Sequence, residues 1–307
     1  MNKRKLFSVF AFIMASLVSI QANAKSYTIG VAVANLQADF FNQIKQSVEA
    51  ETLRLGDKMV AVDAHGDSAT QVNQIQDLIT RKVDAIIYIP AGATAASVPI
   101  KAAHKAGIPV IAVDRNPEGT PGDTFVATDS VAAAHILANY VAKITNGKGN
   151  IGLIQGQIGT TPQIEREKGF NQGLANFPNL KIVEHQASTM WMQDEGFKIG
   201  QDMLLRNPSI NVFFGEADAL ALGGAQAAKV ANQKVVTVGF DGDPAGLRAV
   251  RDGVLAATIT QQTQYMGRLA VRSAIDLIEG RYVPAEQKTA GILTTKENVE
   301  QFIKSHP

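Results

Sequence analysis

One stretch of the sequence runs from an apolar segment directly into a pair of unlike charges. Residues 109–113 read Pro-Val-Ile-Ala-Val, and Asp114 and Arg115 follow at once. An all-apolar run of this kind is typical of a strand buried on both faces, as in a parallel sheet. Ligands of open α/β sheets bind at the carboxyl ends of the strands, where these two charges fall. The stretch therefore predicts a ligand site at a sheet edge.

A second apolar run later in the chain has the same design. Residues 235–240 read Val-Val-Thr-Val-Gly-Phe and lead into Asp241. Two buried strands that each end in an acid predict two sheets that face one ligand.

Strand-like and helix-like segments alternate from Tyr27 onwards, and the alternation restarts near residue 130. Such alternation indicates parallel sheets with right-handed crossovers. We predict an α/β protein with two doubly wound parallel-sheet lobes, joined by a three-stranded hinge with the ligand cleft between them. The predicted N-terminal lobe is 25–129 plus 262–287, and the predicted C-terminal lobe is 130–261 plus 288–307. Lys288–Leu293 is expected to form one short strand.

The first 24 residues have the features of an export signal. Residues 3–5 are basic, residues 6–20 are apolar, and residues 22–24 read Ala-Asn-Ala, which fits a cleavage site. The apolar run of 15 residues is short for a membrane span, although an uncleaved anchor is the alternative. The chain contains no cysteine, which excludes disulfides, thiolate catalysis and a lipid anchor on cysteine. The sequence therefore predicts a soluble protein of the periplasm.

The remaining composition gives no reason to expect nucleic acid, a membrane surface or a catalytic centre. Without the predicted signal, which carries three basic and no acidic residues, 26 Lys and Arg face 28 Asp and Glu, a net charge of −2. Such a balance does not favour binding to nucleic acid or anionic lipid. The five histidines show no metal-ligand spacing, and no nucleophile elbow, phosphate loop or dinucleotide fingerprint is present. We expect no enzyme activity, no metal and no cofactor.

The side chains at the predicted strand ends suit a polyhydroxylated ligand. Carboxylates accept hydrogen bonds from hydroxyls, guanidinium groups donate them, and aromatic faces cover the C–H faces of a ring. Several of these residues have a structural alternative. The alternative for Phe40 is packing in the core, for Asp114 the capping of a turn, and for Gln261 a hydrogen bond within the hinge alone. Asp218 is expected to be the N-cap of a helix that begins near Ala219.

The sequence resembles the ribose-binding-protein branch of the periplasmic sugar-binding proteins, which serve ABC importers. The resemblance extends from Tyr27 to about Leu293. The matching segments are 39–41, 107–115, 127–129, 159–160, 165–166, 169–170, 218 with 221–223, 238–242 and 255–261.

The resemblance implies a function and a set of contacts. Such a protein closes its lobes on a monosaccharide or related polyol and then docks, as a monomer, on the permease of an ABC transporter. A chemoreceptor is a further partner that the resemblance leaves open. A LacI-type repressor is the alternative within the same fold, and the export signal in place of a DNA-binding segment disfavours it. The implied ligand-binding residues are Phe40, Phe41, Asp114, Arg115, Trp191 (with Met192 as the alternative), Phe240, Asp241 and Gln261.

Four positions depart from the ribose-binding pattern. Ile164 aligns with an arginine, Ala217 aligns with an asparagine, and Ala34 and Ala38 align with polar residues. A site that lacks hydrogen-bonding groups for hydroxyls should select ribose weakly. The departures therefore favour another monosaccharide, a deoxy sugar, a polyol or a cyclitol.

Overall fold

The computed structural model describes residues 26–117 and 119–307. The predicted export signal lies outside these residues. No helix in the described part of the chain is long and apolar enough to cross a membrane.

Twelve strands and ten helices occur in the described residues. The strands are β1 Thr28–Val33, β2 Lys58–Asp63, β3 Ala85–Tyr88, β4 Val110–Val113, β5 Thr124–Thr128, β6 Lys148–Gln155, β7 Asn179–Ala187, β8 Val212–Gly215, β9 Val236–Val238, β10 Thr258–Thr260, β11 Glu286–Thr289 and β12 Ile292–Thr294. The helices are α1 Asp39–Arg54, α2 Ser68–Thr80, α3 Ser97–Lys105, α4 Ser130–Ile144, α5 Thr161–Leu174, α6 Gln193–Arg206, α7 Asp218–Val230, α8 Pro244–Arg251, α9 Thr263–Ile278 and α10 Val299–Lys304.

Two parallel sheets form the centres of the two lobes. The first has the order β11-β5-β4-β3-β1-β2 and the second the order β7-β6-β8-β9. Every pair of neighbouring strands within these two sheets is parallel. The predicted class, two doubly wound parallel-sheet lobes with a cleft between them, is therefore confirmed.

Helices cover both faces of each sheet, and this explains the all-apolar strands. All four residues of β4 are buried. In the first lobe, Ile44 of α1 and Met266 of α9 pack on one face of the sheet, while Ile75 of α2 and Ile100 of α3 belong to the core on the other face. A strand with helices on both sides has no solvent face, so it does not alternate apolar with polar residues.

The end of the chain differs from the prediction of one strand over Lys288–Leu293. Two strands form instead, because β11 extends the first sheet beside β5 whereas β12 pairs antiparallel with β10. Gly291 lies between them, where an added Cβ would approach Ala133 and Ile259 to 2.7 Å. A close approach of this kind favours glycine. β11 thus lies in the first sheet up to Thr289, close to the predicted crossing after residue 287, and the predicted lobe boundaries stay predictions.

Candidate ligand-binding cleft

A cavity of about 210 Å³ lies between the lobes, at the carboxyl ends of their strands. Its first-lobe wall comes from the start of α1 and from the turn after β4. Its second-lobe wall comes from α5, the start of α7, the loop that precedes α6 and the loop after β9. This is the edge at which open α/β sheets bind ligands.

Asp114 and Arg115 form the charged unit of the first lobe. Arg115 Nε lies 3.6 Å from Asp114 Oδ2, and both residues are buried. Arg115 Nη1 donates to the backbone oxygens of Pro90 at 2.9 Å and Ala91 at 3.1 Å. The guanidinium lies 5.1 Å from the centre of the Phe41 ring. Burial raises the pKa of Asp114, and the charge of Arg115 limits that rise.

Arg166 and Asp241 form the corresponding unit of the second lobe. Arg166 Nη2 lies 3.2 Å from Asp241 Oδ1, and the guanidinium lies 4.0 Å from the centre of the Phe240 ring. Arg166 Nη1 donates to the backbone oxygen of Glu216. Gln261 Nε2 donates to Asp241 Oδ1 at 2.7 Å. Burial raises the pKa of Asp241 to about 6, although the Arg166 charge opposes the rise.

Trp191 lies between these two units. Its ring centre is 5.7 Å from the Arg115 guanidinium and 5.5 Å from that of Arg166. The ring lies against Gly156, where an added Cβ would come within 1.8 Å of it. Trp191 therefore connects the charged units of the two lobes and occupies space that a side chain at position 156 would take.

Three of the site residues have strained backbone conformations. The φ angles are 62° for Asp114, 62° for Trp191 and 121° for Asp241. Aspartate tolerates the left-handed region better than most residues, whereas tryptophan there is uncommon. Such conformations cost about 1–3 kcal/mol each and cluster at ligand-binding and active sites. Their presence on both sides of the cavity supports a functional role for this cleft.

The prediction that Ile164 replaces an arginine of the cleft is wrong. Ile164 is 54% exposed, whereas Arg166 is 2% exposed and lines the cavity. Residues two apart on a helix do not share a face, so the two side chains leave α5 in different directions. The buried spacing of Gln163, Arg166 and Phe170 in α5 is the sequence signal that would have identified the inward face.

The prediction that Asp218 is a helix N-cap is also wrong. Ala217 occupies the N-cap position, and Asp218 is the first residue of α7 and fully buried. The Asp218 carboxylate accepts hydrogen bonds from the backbone N–H groups of Gly242 and Asp243, both at 2.9 Å, and from Thr258 Oγ1 at 2.6 Å. Burial raises its pKa well above the usual range. Asp218 therefore holds the loop after β9 in place.

The other predicted residues divide into two groups. Phe40 and Phe41 line the cavity and pack edge to face, with ring centres 5.4 Å apart. Phe240 and Gln261 are fully buried and are not among the described residues that line the cavity. They support Arg166 and Asp241 instead, so their direct contact with a ligand stays a prediction.

The apolar departures are placed as follows. Ala38 and Ala217 line the main cavity, together with Met192, and Ala34 lines a small adjoining void. Two of the four departures therefore lie in the cavity wall, which also includes Arg166, and their effect on the choice of ligand stays a prediction.

Sequence reasoning did not assign four charged residues of the cavity wall to the ligand site: Arg166, Asp39, Asp218 and Asp243. Asp39 begins α1 and Asp243 precedes Pro244 at the start of α8. Acids at these positions are common helix-terminus residues, so their sequence context gave no signal for a ligand site. Within residues 26–117 and 119–307, no group of three or more His, Cys, Asp or Glu is placed to hold a metal ion.

Two parallel α/β lobes around a cleft lined by paired charges and aromatic rings define a solute-binding protein of the type that closes on its ligand. The family model described as periplasmic binding protein domain matches residues 29–281, and the chain belongs to this family.

Curated relatives and solved structures agree with this assignment. The chain is 31% identical over 271 residues to the ribose import binding protein RbsB of Bacillus subtilis (strain 168), which covers 88% of this chain and 87% of that protein. It is 32% identical to RbsB of Escherichia coli (strain K12), over 93% of this chain and 96% of that protein. An ABC transporter solute-binding protein from Bacillus halodurans C-125, solved with bound myo-inositol, superposes with a TM-score of 0.85 at 28% identity and covers 92% of this chain and 99% of that one. The predicted resemblance to ribose-binding proteins is confirmed.

Proposed function

We propose that this protein captures a monosaccharide or related polyol and delivers it to an ABC importer. Its relatives include ribose import binding proteins, and one of its structural neighbours binds myo-inositol. These proteins support the solute-binding function over the repressor alternative.

The observation that carries this proposal is the convergence of two Asp–Arg pairs, one from each lobe, on one cavity. Arg115 and Arg166 are nearly fully buried, and the Nε atom of each has no hydrogen-bond partner within the described part of the chain. A buried donor without a partner costs about 1–3 kcal/mol, so a ligand that supplies an oxygen there gains affinity. The aromatic rings of Phe40 and Phe41 supply an apolar surface for the C–H face of a ring.

Closure of the lobes would complete the site. Contacts already join the lobes: the Asn116 backbone N–H donates to Thr161 Oγ1 at 3.0 Å, and Lys288 Nζ lies 2.9 Å from Glu165 Oε1. A ligand that contacts both walls favours the closed form over the open one because only the closed form offers both sets of contacts. In this proposal the closed form docks on the permease.

The proposal includes location, oligomeric state and chemistry. The protein acts in the periplasm as a soluble monomer after removal of residues 1–24, and it catalyses no reaction. A chemoreceptor is a candidate second partner. Fractionation of cells that express the full chain, followed by N-terminal sequencing, tests the location and the cleavage site.

A thermal-shift panel of pentoses, hexoses, deoxy sugars, polyols and cyclitols tests the function. A ligand at about 100 times its Kd adds about 2.7 kcal/mol of stability. For a protein of this size we expect Tm to rise by roughly 2–4 °C per kcal/mol. NAD and ATP serve as controls from other ligand classes. A shift with either of these and none with the sugars or polyols would refute the proposal.

A further inference from the structure

The cavity contains more carboxylates than its own cations neutralise. Asp114 lies beside Arg115 and Asp241 beside Arg166. Asp218 is satisfied by two backbone N–H groups and a hydroxyl. Two further acids line the cavity, one from each lobe, and within the described residues neither has a salt-bridge partner: they are Asp39 and Asp243.

Asp39 and Asp243 line the same cavity from different lobes, and the charge of Asp39 acts on Asp243. Asp39 is exposed at the start of α1 in the first lobe, and Asp243 is partly buried at the start of α8 in the second. The pKa of Asp243 is raised, first by burial and then by the negative charges of Asp241, Asp218 and Asp39. The charge of Arg166 opposes this rise. The cavity wall therefore holds like charges that come from both lobes.

The polar atoms of this wall point to a ligand. Asp243 does not cap α8 with its side chain, and its Oδ1 is shielded from solvent without a hydrogen-bond partner among the described residues. Arg115 and Arg166, which are 4% and 2% exposed, line the same cavity, and the Nε atom of neither makes a hydrogen bond in this part of the chain, although Arg115 Nε lies 3.6 Å from Asp114 Oδ2. The cavity thus needs a ligand that brings acceptors to the two arginines and a donor to Asp243.

A neutral hydroxyl and a protonated amine differ in what they supply at this place. Both donate a hydrogen bond to Asp243 Oδ1, but only the ammonium group also compensates the charges of Asp39 and Asp243. Either donor makes a charge-assisted hydrogen bond to an ionised carboxylate, but only the ammonium adds the attraction between two opposite charges, which is stronger in a partly buried cleft than in bulk water. A bare metal ion does not meet this need, because no group of three or more ligating side chains in the described residues is placed to hold one.

We propose that the ligand is a cationic polyol, an amino sugar or an aminocyclitol, whose ammonium group lies between Asp39 and Asp243. The hydroxyl groups of the same ligand meet Arg115 and Arg166. This inference rests on the proposed function and narrows it from neutral sugars and polyols to their monoamino derivatives. It also makes lobe closure dependent on the charge of the ligand, since a neutral ligand leaves the charges of Asp39 and Asp243 uncompensated.

Isothermal titration calorimetry with matched ligands tests this inference. Each amine is compared with its hydroxyl parent: scyllo-inosamine with scyllo-inositol, and glucosamine, galactosamine and mannosamine with glucose, galactose and mannose. N-acetylglucosamine supplies the same nitrogen without its charge. We expect at least one amine to bind about tenfold or more tightly than its parent, equivalent to about 1.4 kcal/mol, and the N-acetyl compound to lose this advantage. The advantage should shrink at high salt, since salt screens charges at the cleft mouth.

Variants locate the ammonium group. Asp243→Asn and Asp39→Asn should each reduce the ratio of amine to parent affinity several-fold. Asp252→Asn removes the same charge from an exposed residue at the other end of α8 and should leave the ratio unchanged. If Asp243→Asn does not fold, as judged by circular dichroism, Asp39→Asn decides the question.

The outcomes separate this inference from the proposed function. Tight binding of a neutral parent with no gain for any amine refutes the inference and leaves the proposed function standing. An amine preference that survives both Asp39→Asn and Asp243→Asn also refutes it. Absence of binding by every sugar, polyol and amine removes the proposed function and this inference together.

Discussion

The two walls of the cleft contain the same types of side chain, an aspartate paired with an arginine, but the fold brings each pair together differently. In the first lobe, Asp114 and Arg115 are neighbours in sequence at the end of one strand, and backbone oxygens of Pro90 and Ala91 hold the arginine. In the second lobe, Arg166 comes from α5 and Asp241 from the loop after β9. The first wall is thus encoded locally, whereas the second depends on tertiary packing.

The two units also differ in how closely each arginine is tied to its acid. The distance is 3.6 Å between Arg115 and Asp114 but 3.2 Å between Arg166 and Asp241. Gln261 adds a hydrogen bond to Asp241. We therefore expect the second unit to contribute to both stability and binding, and the Asp114 carboxylate to contribute mainly to binding.

The largest effect is expected from Arg166→Met. The substitution leaves Asp241 buried without its cation, and removal of one partner from a buried pair costs about 3–5 kcal/mol. We expect urea unfolding at pH 7 to show a loss of this size, and calorimetry to show loss of ligand binding. The loss of stability should be smaller at pH 5, because Asp241, with a pKa already about 6, is protonated there.

Arg206→Met is the matched control for Arg166→Met. Arg206 lies in the same lobe, but its side chain is 49% exposed and its contact with Glu184 is 3.7 Å long. Exposed ion pairs contribute about 0–1 kcal/mol, so this variant should remain close to the wild type. Equal losses from the two substitutions would contradict a special role for Arg166.

The next effect concerns Glu216, which lies behind the second wall and is fully buried. Burial raises its pKa from 4.5 to about 8. The folded protein therefore retains a proton that the unfolded chain releases above pH 4.5, so stability falls as pH rises towards 8. Between pH 5 and pH 7 this one group should remove roughly 2–3 kcal/mol.

Glu216→Gln should flatten the dependence of unfolding free energy on pH by that amount, as measured by urea unfolding from pH 5 to pH 8. Glutamine retains an oxygen to accept the Gly156 N–H bond that Glu216 Oε2 accepts at 2.7 Å. Glu300→Gln, at an exposed position of α10, is the control. An unchanged pH profile in Glu216→Gln would show that the acid is ionised in the folded protein.

The contrast between the walls also explains what the sequence predicted. The apolar run of β4 and the two charges after it are adjacent, so a local pattern was enough to place Asp114 and Arg115 at a sheet edge. The sequence did not identify Arg166 as a cleft residue because its role depends on which face of α5 turns inward. The prediction places Ile164 at that position instead. The sequence did not identify Asp243 as a cavity residue because an acid before Pro244 is typical of a helix start.

The alternation of strands and helices was enough to predict two lobes with parallel sheets. It was not enough to predict how the strands at the end of the chain pair. Lys288–Leu293 is predicted as one strand, but β11 and β12 belong to two different sheets, and Gly291 lies between them, close to Ala133 and Ile259. Periodicity indicates that a segment is extended; it does not indicate which neighbour it pairs with.

A smaller effect, confined to binding, is expected from Asp114→Ala. Hydrogen bonds to charged groups contribute about 1.5–3 kcal/mol, so calorimetry with the ligand found in the thermal-shift panel should show a loss of roughly tenfold to a hundredfold. The fold should persist because Arg115 keeps its bonds to Pro90 and Ala91. Asp114→Asn, which tolerates the φ of 62° as aspartate does, separates the loss of charge from backbone strain. If Asp114→Ala binds as the wild type does, the carboxylate only caps the turn.

The smallest effect should come from a pair of substitutions that restore polar groups at two of the departures from the ribose-binding pattern. Ala217 lines the cavity and is 3% exposed, so Ala217→Asn places an amide beside the ligand. Calorimetry across the sugar and polyol panel should show a changed order of affinities, with individual changes of about 1–3 kcal/mol at most. Ile164→Arg should change no affinity by more than about 0.5 kcal/mol, because that side chain is 54% exposed on the outer face of α5. If Ile164→Arg instead changes the order while Ala217→Asn does not, the inward face of α5 carries position 164, and the second wall differs from the one described.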